Sequence, residues 1–492
     1  MSEKQEPREN QLAAYIGVSG PETPKFLLVN NFLSEFFQTS PNEKKKSYTF
    51  DDFVLDEKEI LRCEEDDEQK MQQLKNSFNE FFRRFAGEDI IHSNYKERVF
   101  YFPLHLHMLR SSTYNLRHLL FHMIPNIEKE NRFRDIQNML IEYLYGNTDG
   151  ASFLLNTLCS ELFEENAVKK AGKKTQEFEP LQKNHYKKVC NNFYKDLQLL
   201  LTHAFFKKLD FYKRYDYLAT LLNSYVIQFI VNKEGVSHRG ILLCQGSATS
   251  HLLNGTEYHR ACVQNYSEIR AVFSQELKEY YLKCLEKEGD LKIQDINDKI
   301  MVNSETFKEF VERLFNSKYQ DEESLYQLVR KAFKLEGKEK TLKKEEFTMY
   351  YIDMSKVRKG SVLTKISSTL PTCGKDIDFV FPKNSSKHKF FAMSPSLLEF
   401  FVRLFLVHEK RSYAYLDNFL DWLQDRYGIC IRKSPKIDRM LKKMHIKIPL
   451  SEYRQNEQAL LDNLDEINCL IRLSDSGYVI TLPEEKGEFK LL

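Results

Sequence analysis

Apolar residues recur at intervals of three and four through most of this chain, and alternate in twos only in its last third. That contrast predicts a helical body followed by a mixed tail. In 68–87 Met71, Leu74, Phe78, Phe81, Phe82 and Phe85 share one stripe, and Gly87 stands where a helix stops. Residues 131–146 repeat the design with Phe133, Ile136, Leu140 and Leu144, closed by Gly146. A further helix at 149–166 follows after a very short connection, which predicts an antiparallel pair. The longest block, 184–233, reads as two helices meeting near Leu209–Asp210, its ring stripe of Phe193, Phe205, Phe206, Phe211, Tyr215 and Tyr217 being core. Helices resume at 265–288, 304–316 and 321–334, and 25–37 reads as a short apolar helix.

Three stretches break the helical period. The Lys-rich segment 167–180 and the charged connector 334–346 read as polar links, and 235–260 is a Gly/Ser/His-rich interruption that reads as an ordinary loop. Beyond the connector, 347–357 and 378–382 have strand-like composition, and 376–382 alternates as a strand does. Helices follow at 394–408, 412–428, 434–445 and 451–468. Two of them open on Ser-Pro, and one is closed by Gly428. Two short apolar strands then flank the turn Ser474–Gly477. Helices closed by a β-hairpin are the element order of a winged helix. The expected fold is mainly α: a multi-helix body with a C-terminal winged-helix-like α+β domain. The expected divisions are a mixed segment at 1–65, a helical body at 66–335 and the hairpin-plus-wing domain at 347–492.

Composition narrows the function classes. Lys and Arg number 73 against 71 Asp and Glu, so no global field favours nucleic acid and only a local basic face would serve. The nine cysteines are scattered without CxxC spacing, which fits reduced thiols in a cytoplasmic protein. The longest apolar runs are too short to span a membrane, so no membrane partner is expected.

No motif is chemically complete. The Gly-x4-Gly spacing at 235–240 is followed by Ile241 and Leu242, where a nucleotide loop needs Lys and Ser/Thr. His118 and His122 have zinc-ligand spacing, but Leu119 stands where a catalytic Glu belongs. Ser247, Ser250, His251 and His259 share the interruption and leave a Ser–His pair open. Asp376 and Asp378 are a weak acid pair, and Glu488-x-Lys490 is a nuclease-like match of chance frequency. Cofactor, metal and catalytic residues are therefore all expected to be none. The third helix of the tail carries Lys436, Arg439, Lys442 and Lys443, a basic face for DNA or a partner, whereas the helix before the hairpin carries Glu457, Asp462, Asp465 and Glu466.

Four short motifs, Cys373–Phe379 read as a strand, Ser394–Leu398, Arg426–Ile429 and Ser474–Gly477, resemble the C-terminal regions of accessory proteins in bacterial anti-phage islands. Those islands are linked to modified DNA: methylation-associated defence and phosphorothioation-dependent restriction. The resemblance covers about the last quarter of the chain. It implies a non-enzymatic adaptor or scaffold subunit beside an ATPase or translocase and a nuclease; the basic third helix of the tail adds double-stranded DNA as an alternative partner to protein. The alternatives from the residues alone are a nuclease or hydrolase with a dispersed site, and a winged-helix transcription regulator.

Overall fold

A computed structural model describes residues 28–29, 32–33, 35–36, 116–145, 186–232, 240–249, 251–271, 299–301, 341–343, 368–384, 387–474 and 477–483. The readings at 68–87, 149–166, 167–180, 304–316, 321–334 and 347–357 lie outside these residues, as do Ser250 and Glu488–Lys490. The chain forms two compact units: Met1–Pro7 with Glu22–Ile269 and Leu370–Leu492, and Arg8–Pro21 with Arg270–Thr369. In the second unit, β2 (Lys299–Met301) pairs antiparallel with β3 (Thr341–Lys343), so part of the expected connector is a strand.

The first unit is mainly helical. Its body holds α1 (Leu116–His122), α2 (Glu130–Tyr145), α3 (Lys187–Thr202), the single turn α4 (Ala204–Lys207) and α5 (Phe211–Val231). The expected junction near Asp210 is a true helix start: the Asp210 carboxylate accepts from the Lys213 amide at 2.9 Å, which satisfies a donor the helix itself cannot. Phe193, Phe206, Tyr215 and Tyr217 are buried as expected, and half-buried Phe205 lies under the Arg403 guanidinium at 4.9 Å. Residues 28, 29, 32, 33, 35 and 36 are helical, and Phe36 stacks on Phe133 at 5.4 Å.

The interruption at 235–260 is a loop only in part where it is described: residues 252–256 are turn and bend. It forms β1 (Ile241–Leu242) and α6 (Gln245–Thr249), and residues 257–271 form the next helix, α7. Residues 240–247 are all buried. Their small and apolar side chains mimic a surface turn in composition, but here they let a backbone pass through the core.

The C-terminal part of the unit runs α8 (Thr369–Asp376), β4 (Val380–Phe381), β5 (Phe390–Phe391), α9 (Pro395–Glu409), β6 (Tyr413–Tyr415), α10 (Leu416–Tyr427), β7 (Ile429–Cys430), α11 (Pro435–Met444), α12 (Leu450–Glu466), β8 (Leu470–Arg472) and β9 (Tyr478–Thr481). β4 and β5 form the expected antiparallel hairpin. Cys373–Asp376 are helical, however, and not the start of a strand. The cause is tight packing at Gly374, where a β-carbon would come within 2.2 Å of Val380 Cγ2. Only glycine lets the end of α8 lie against its own outgoing strand.

The helix expected at 412–428 begins at Leu416, because Tyr413–Tyr415 pairs antiparallel with β9. The resulting sheet has the order β6-β9-β8. β1 pairs in parallel with β7, Ile241 against Ile429 and Leu242 against Cys430, so residues of the helical body and of the tail share one small sheet.

Candidate functional site

The basic face of α11 follows from its caps and its apolar stripe. The Ser434 hydroxyl accepts from the Ile437 amide at 3.4 Å, Pro435 fills the first turn, and His445 ends the helix at φ 56°. Ile437, Met440, Leu441 and Met444 are buried, which turns Arg439, Lys442 and Lys443 outward. Lys436 behaves differently. It is half-buried, its amine donates to the Gln424 carbonyl at 3.4 Å, and its stem lies beside Gly240. Three of the four expected residues therefore form one exposed face, and the fourth braces the helix from beneath. Asp438 is the one acid between Arg432 and Ser451. At the start of the helix, Leu420, Gln424, Ile431, Lys433 and Ser434 help line a cavity of about 370 Å³.

The neighbouring α12 is acidic outside, with Asp462, Asp465 and Glu466 exposed. Glu457 is half-buried, and desolvation raises its carboxyl pKa against the opposing pull of Arg432. Arg432 is itself committed to Asp417 and Asp421.

Beneath both helices lies a buried polar hub that the sequence reading missed. Asn456, on the inner face of α12, accepts from the Gln245 amide at 2.6 Å and the Gly246 amide at 3.3 Å. Its amide nitrogen donates toward the Leu243 carbonyl at 3.0 Å, the Tyr258 hydroxyl at 3.0 Å and the Ile431 carbonyl at 3.3 Å. Gln245 completes the hub through reciprocal bonds with the Met393 backbone at 2.7 and 3.0 Å. One asparagine thus joins the 240–249 strap, α7, the residue that follows β7, and α12. A signal existed: Asn456 interrupts an otherwise apolar stripe of Tyr453, Ala459 and Leu460.

The Ser–His reading of the interruption is partly realised. Ser247 Oγ lies 2.8 Å from His259 Nδ1, and the Cys244 thiol donates to the same hydroxyl at 3.2 Å. Burial lowers the His259 pKa, with His388 adding to the effect, so the ring is a neutral base near pH 7. A hydrogen bond with Cys262 lowers the Cys244 pKa, while burial raises that of Cys262. His251 is exposed and bonds to Asn254, outside this cluster. Ser247 is only 3% exposed and Cys244 fully buried, so the cluster lies under the surface.

Of the Asp376/Asp378 pair, Asp378 lies in the turn after α8 and forms an ion pair with Lys383. Among the described residues no group of three or more His, Cys, Asp or Glu is placed to hold a metal. Burial drives the His122 pKa down to about 4. No helix among the described residues is long and apolar enough to cross a membrane.

A second hidden connection holds α3 and α5 to α10. Asp196, fully buried, accepts from the Arg426 guanidinium and from the hydroxyls of Tyr225 and Tyr427. Burial opposes the Arg426 charge, yet its bonds to Asp196 and that carboxylate's field hold its pKa above the ordinary value. The Arg426–Ile429 motif therefore has a structural meaning: Arg426 and Tyr427 grip Asp196, Gly428 turns the chain at φ 66°, and Ile429 starts β7.

No curated protein and no solved structure matches the chain. Its C-terminal part, from residue 279 to residue 480, spans α8 through β8 and nearly all of β9, and matches the family model described as methylation-associated defense system protein MAD7, which associates the chain with a defence system.

Proposed function

We propose that the chain is a non-enzymatic adaptor or scaffold subunit of a bacterial anti-phage DNA-defence complex, with residues 394–482 acting as a winged-helix-like docking module. The observation that carries this reading is the strand order β6-β9-β8 around α9, α10 and α12. The first strand falls between the first two helices and joins the edge of the terminal hairpin, as a winged helix requires. The extra helix α11 sits between the second and last helices and supplies a basic face. The family match supplies the defence context. The module thus offers two oppositely charged surfaces, a feature of docking proteins that join unlike partners.

The test is a pull-down of the tagged chain co-expressed with its chromosomal neighbours, at two salt concentrations. Salt-resistant recovery of an ATPase, translocase or nuclease supports the adaptor. Recovery of the chain alone, at both salts, rejects it.

The Ser247–His259 contact favours a second reading, a hydrolase that uses this pair as nucleophile and base. Ser247→Ala and His259→Ala variants decide it. Loss of phage protection with unchanged thermal unfolding supports an enzyme, and full protection removes it.

A further inference from the structure

We propose that the exposed face of α11, formed by Arg439, Lys442 and Lys443, binds the phosphate backbone of double-stranded DNA, while the acidic α12 faces away from it. The proposal rests on the docking-module reading and deepens it by assigning a partner to one surface. In a winged helix the helix before the hairpin normally meets DNA; here charge assigns that contact to the inserted helix instead. Asp462, Asp465 and Glu466 on α12 would be repelled by phosphates, whereas α11 carries a single acid, Asp438.

Geometry supports backbone contact by duplex DNA over other anions. The three residues are spaced three and four apart, so they share one helix face. Arg439 to Lys443 spans about 6 Å of the helix axis, so these long side chains sit within reach of neighbouring phosphates along one strand. Its exposed positions are Pro435, Asp438, Arg439, Lys442 and Lys443. None is aromatic, so α11 has no platform on which unpaired bases would stack. None is a large apolar anchor of the kind that protein hot spots use. Lys433, His445 and Lys447, also exposed, flank the helix and add to the local potential.

The face is rigid because its inner side is fixed. Ile437, Met440 and Leu441 pack in one cluster with Leu242, Cys244, Tyr258, Ala261 and Cys262. Gly240 permits this seating, since a β-carbon there would lie 2.9 Å from Met440 Sδ. Lys436, half-buried, belongs to this support and contributes no phosphate contact; Arg439 donates its Nε to the Pro435 carbonyl at 3.2 Å, but an exposed guanidinium has further donors, so the expected footprint is three phosphates.

The experiment is a fluorescence-polarisation titration of the full chain against a labelled 20-base-pair duplex at 50 to 200 mM salt. Three phosphate contacts give a log–log salt slope of about −2.7, an affinity loss of roughly 40-fold across that range. The Lys442→Ala variant flattens the slope by about 0.9. The triple variant R439E/K442E/K443E loses more than tenfold in affinity at 50 mM salt. A control with K129E/K195E/K208E, exposed lysines of the helical body, keeps its affinity. Absence of binding at 50 mM salt, or equal loss in the control, overturns the proposal. The pull-down, repeated with the triple variant, separates the two readings. Retained partners with lost DNA support both. Lost partners in the triple variant, with a wild-type chain indifferent to DNA, make α11 a protein surface and reject this proposal alone. DNA binding by a wild-type chain without partners supports it and rejects the adaptor. All variants are exposed at the changed positions, so unchanged thermal unfolding is the check on folding.

Discussion

Two buried side chains, Asn456 and Asp196, tie separate segments of the unit together, and neither belongs to a recognisable motif. Asn456 satisfies backbone groups from two separate segments and bonds the Tyr258 hydroxyl of a third, so truncating it strands several buried donors and acceptors at once. Asn456→Ala should lower stability by about 2–4 kcal/mol in urea unfolding. A loss under about 0.5 kcal/mol would mean that water or a neighbour replaces it and that the hub is not structural. His122 predicts a pH effect. Its native pKa is near 4 against an ordinary 6.5, because burial favours the neutral ring. Below pH 6.5 the unfolded chain takes up the proton first, so stability falls as pH drops from 6.5 toward 4 and this contribution levels off below that. The His122→Gln variant should show a flatter urea-midpoint profile over that window. An identical profile would place the acid sensitivity elsewhere.

Elements whose ends carry their own chemistry were legible in the sequence. Ser394-Pro395 and Ser434-Pro435 opened helices as expected, and Gly428 closed one. These signals act through bonds to amides two or three residues away, so a linear reading finds them. Ser434→Ala should cost about 1 kcal/mol and loosen the basic helix, seen as faster amide exchange at Ile437 than in the wild type. Unchanged exchange there would show that packing alone sets the start of α11. Elements that depend on a distant partner were not legible. β6 is three residues long and exists because β9 pairs with it. β1 looked like part of a glycine-rich loop because nothing near it in sequence announces β7. The candidate site divided in the same way. The basic residues of α11 could be named from spacing, whereas the retirement of Lys436 from the exposed face depends on Gln424 and Gly240, which spacing does not reveal.

At the scale of the whole unit, residues 187–271 and 370–482 are woven together. The ties are the parallel β1–β7 pairing, the Asn456 hub and the buried Asp196 network. Asp196→Ala leaves the Arg426 charge buried without its counter-ion and should cost about 3–5 kcal/mol in chemical denaturation. A negligible cost would show that Arg426 swings out to solvent. A fragment of residues 370–492 should lack a cooperative thermal transition, since α11 and β7 would expose the apolar faces that Leu242, Cys244 and Tyr258 cover. A sharp transition in that fragment would refute the dependence. The periodicity of each helix was visible from sequence, but which helix faces which is encoded in single polar residues on apolar stripes, Asp196 beside Phe193 and Leu197, and Asn456 beside Tyr453 and Leu460.

The length of chain between strap and hub has a consequence for biosynthesis. Leu243 and Asn456 are separated by 213 positions, so the ribosome makes the strap long before its anchor exists. At roughly 5–20 residues per second, the strap waits about 10–40 s with its apolar side chains uncovered and its backbone polar groups unpaired with their anchor. During translation it is a ready target for chaperones, and the basic helix packed on it becomes firmly seated only after Asn456 has emerged. The nascent chain therefore cannot present its finished basic surface before Asn456 has emerged, and assembly with any partner that reads that surface waits at least as long.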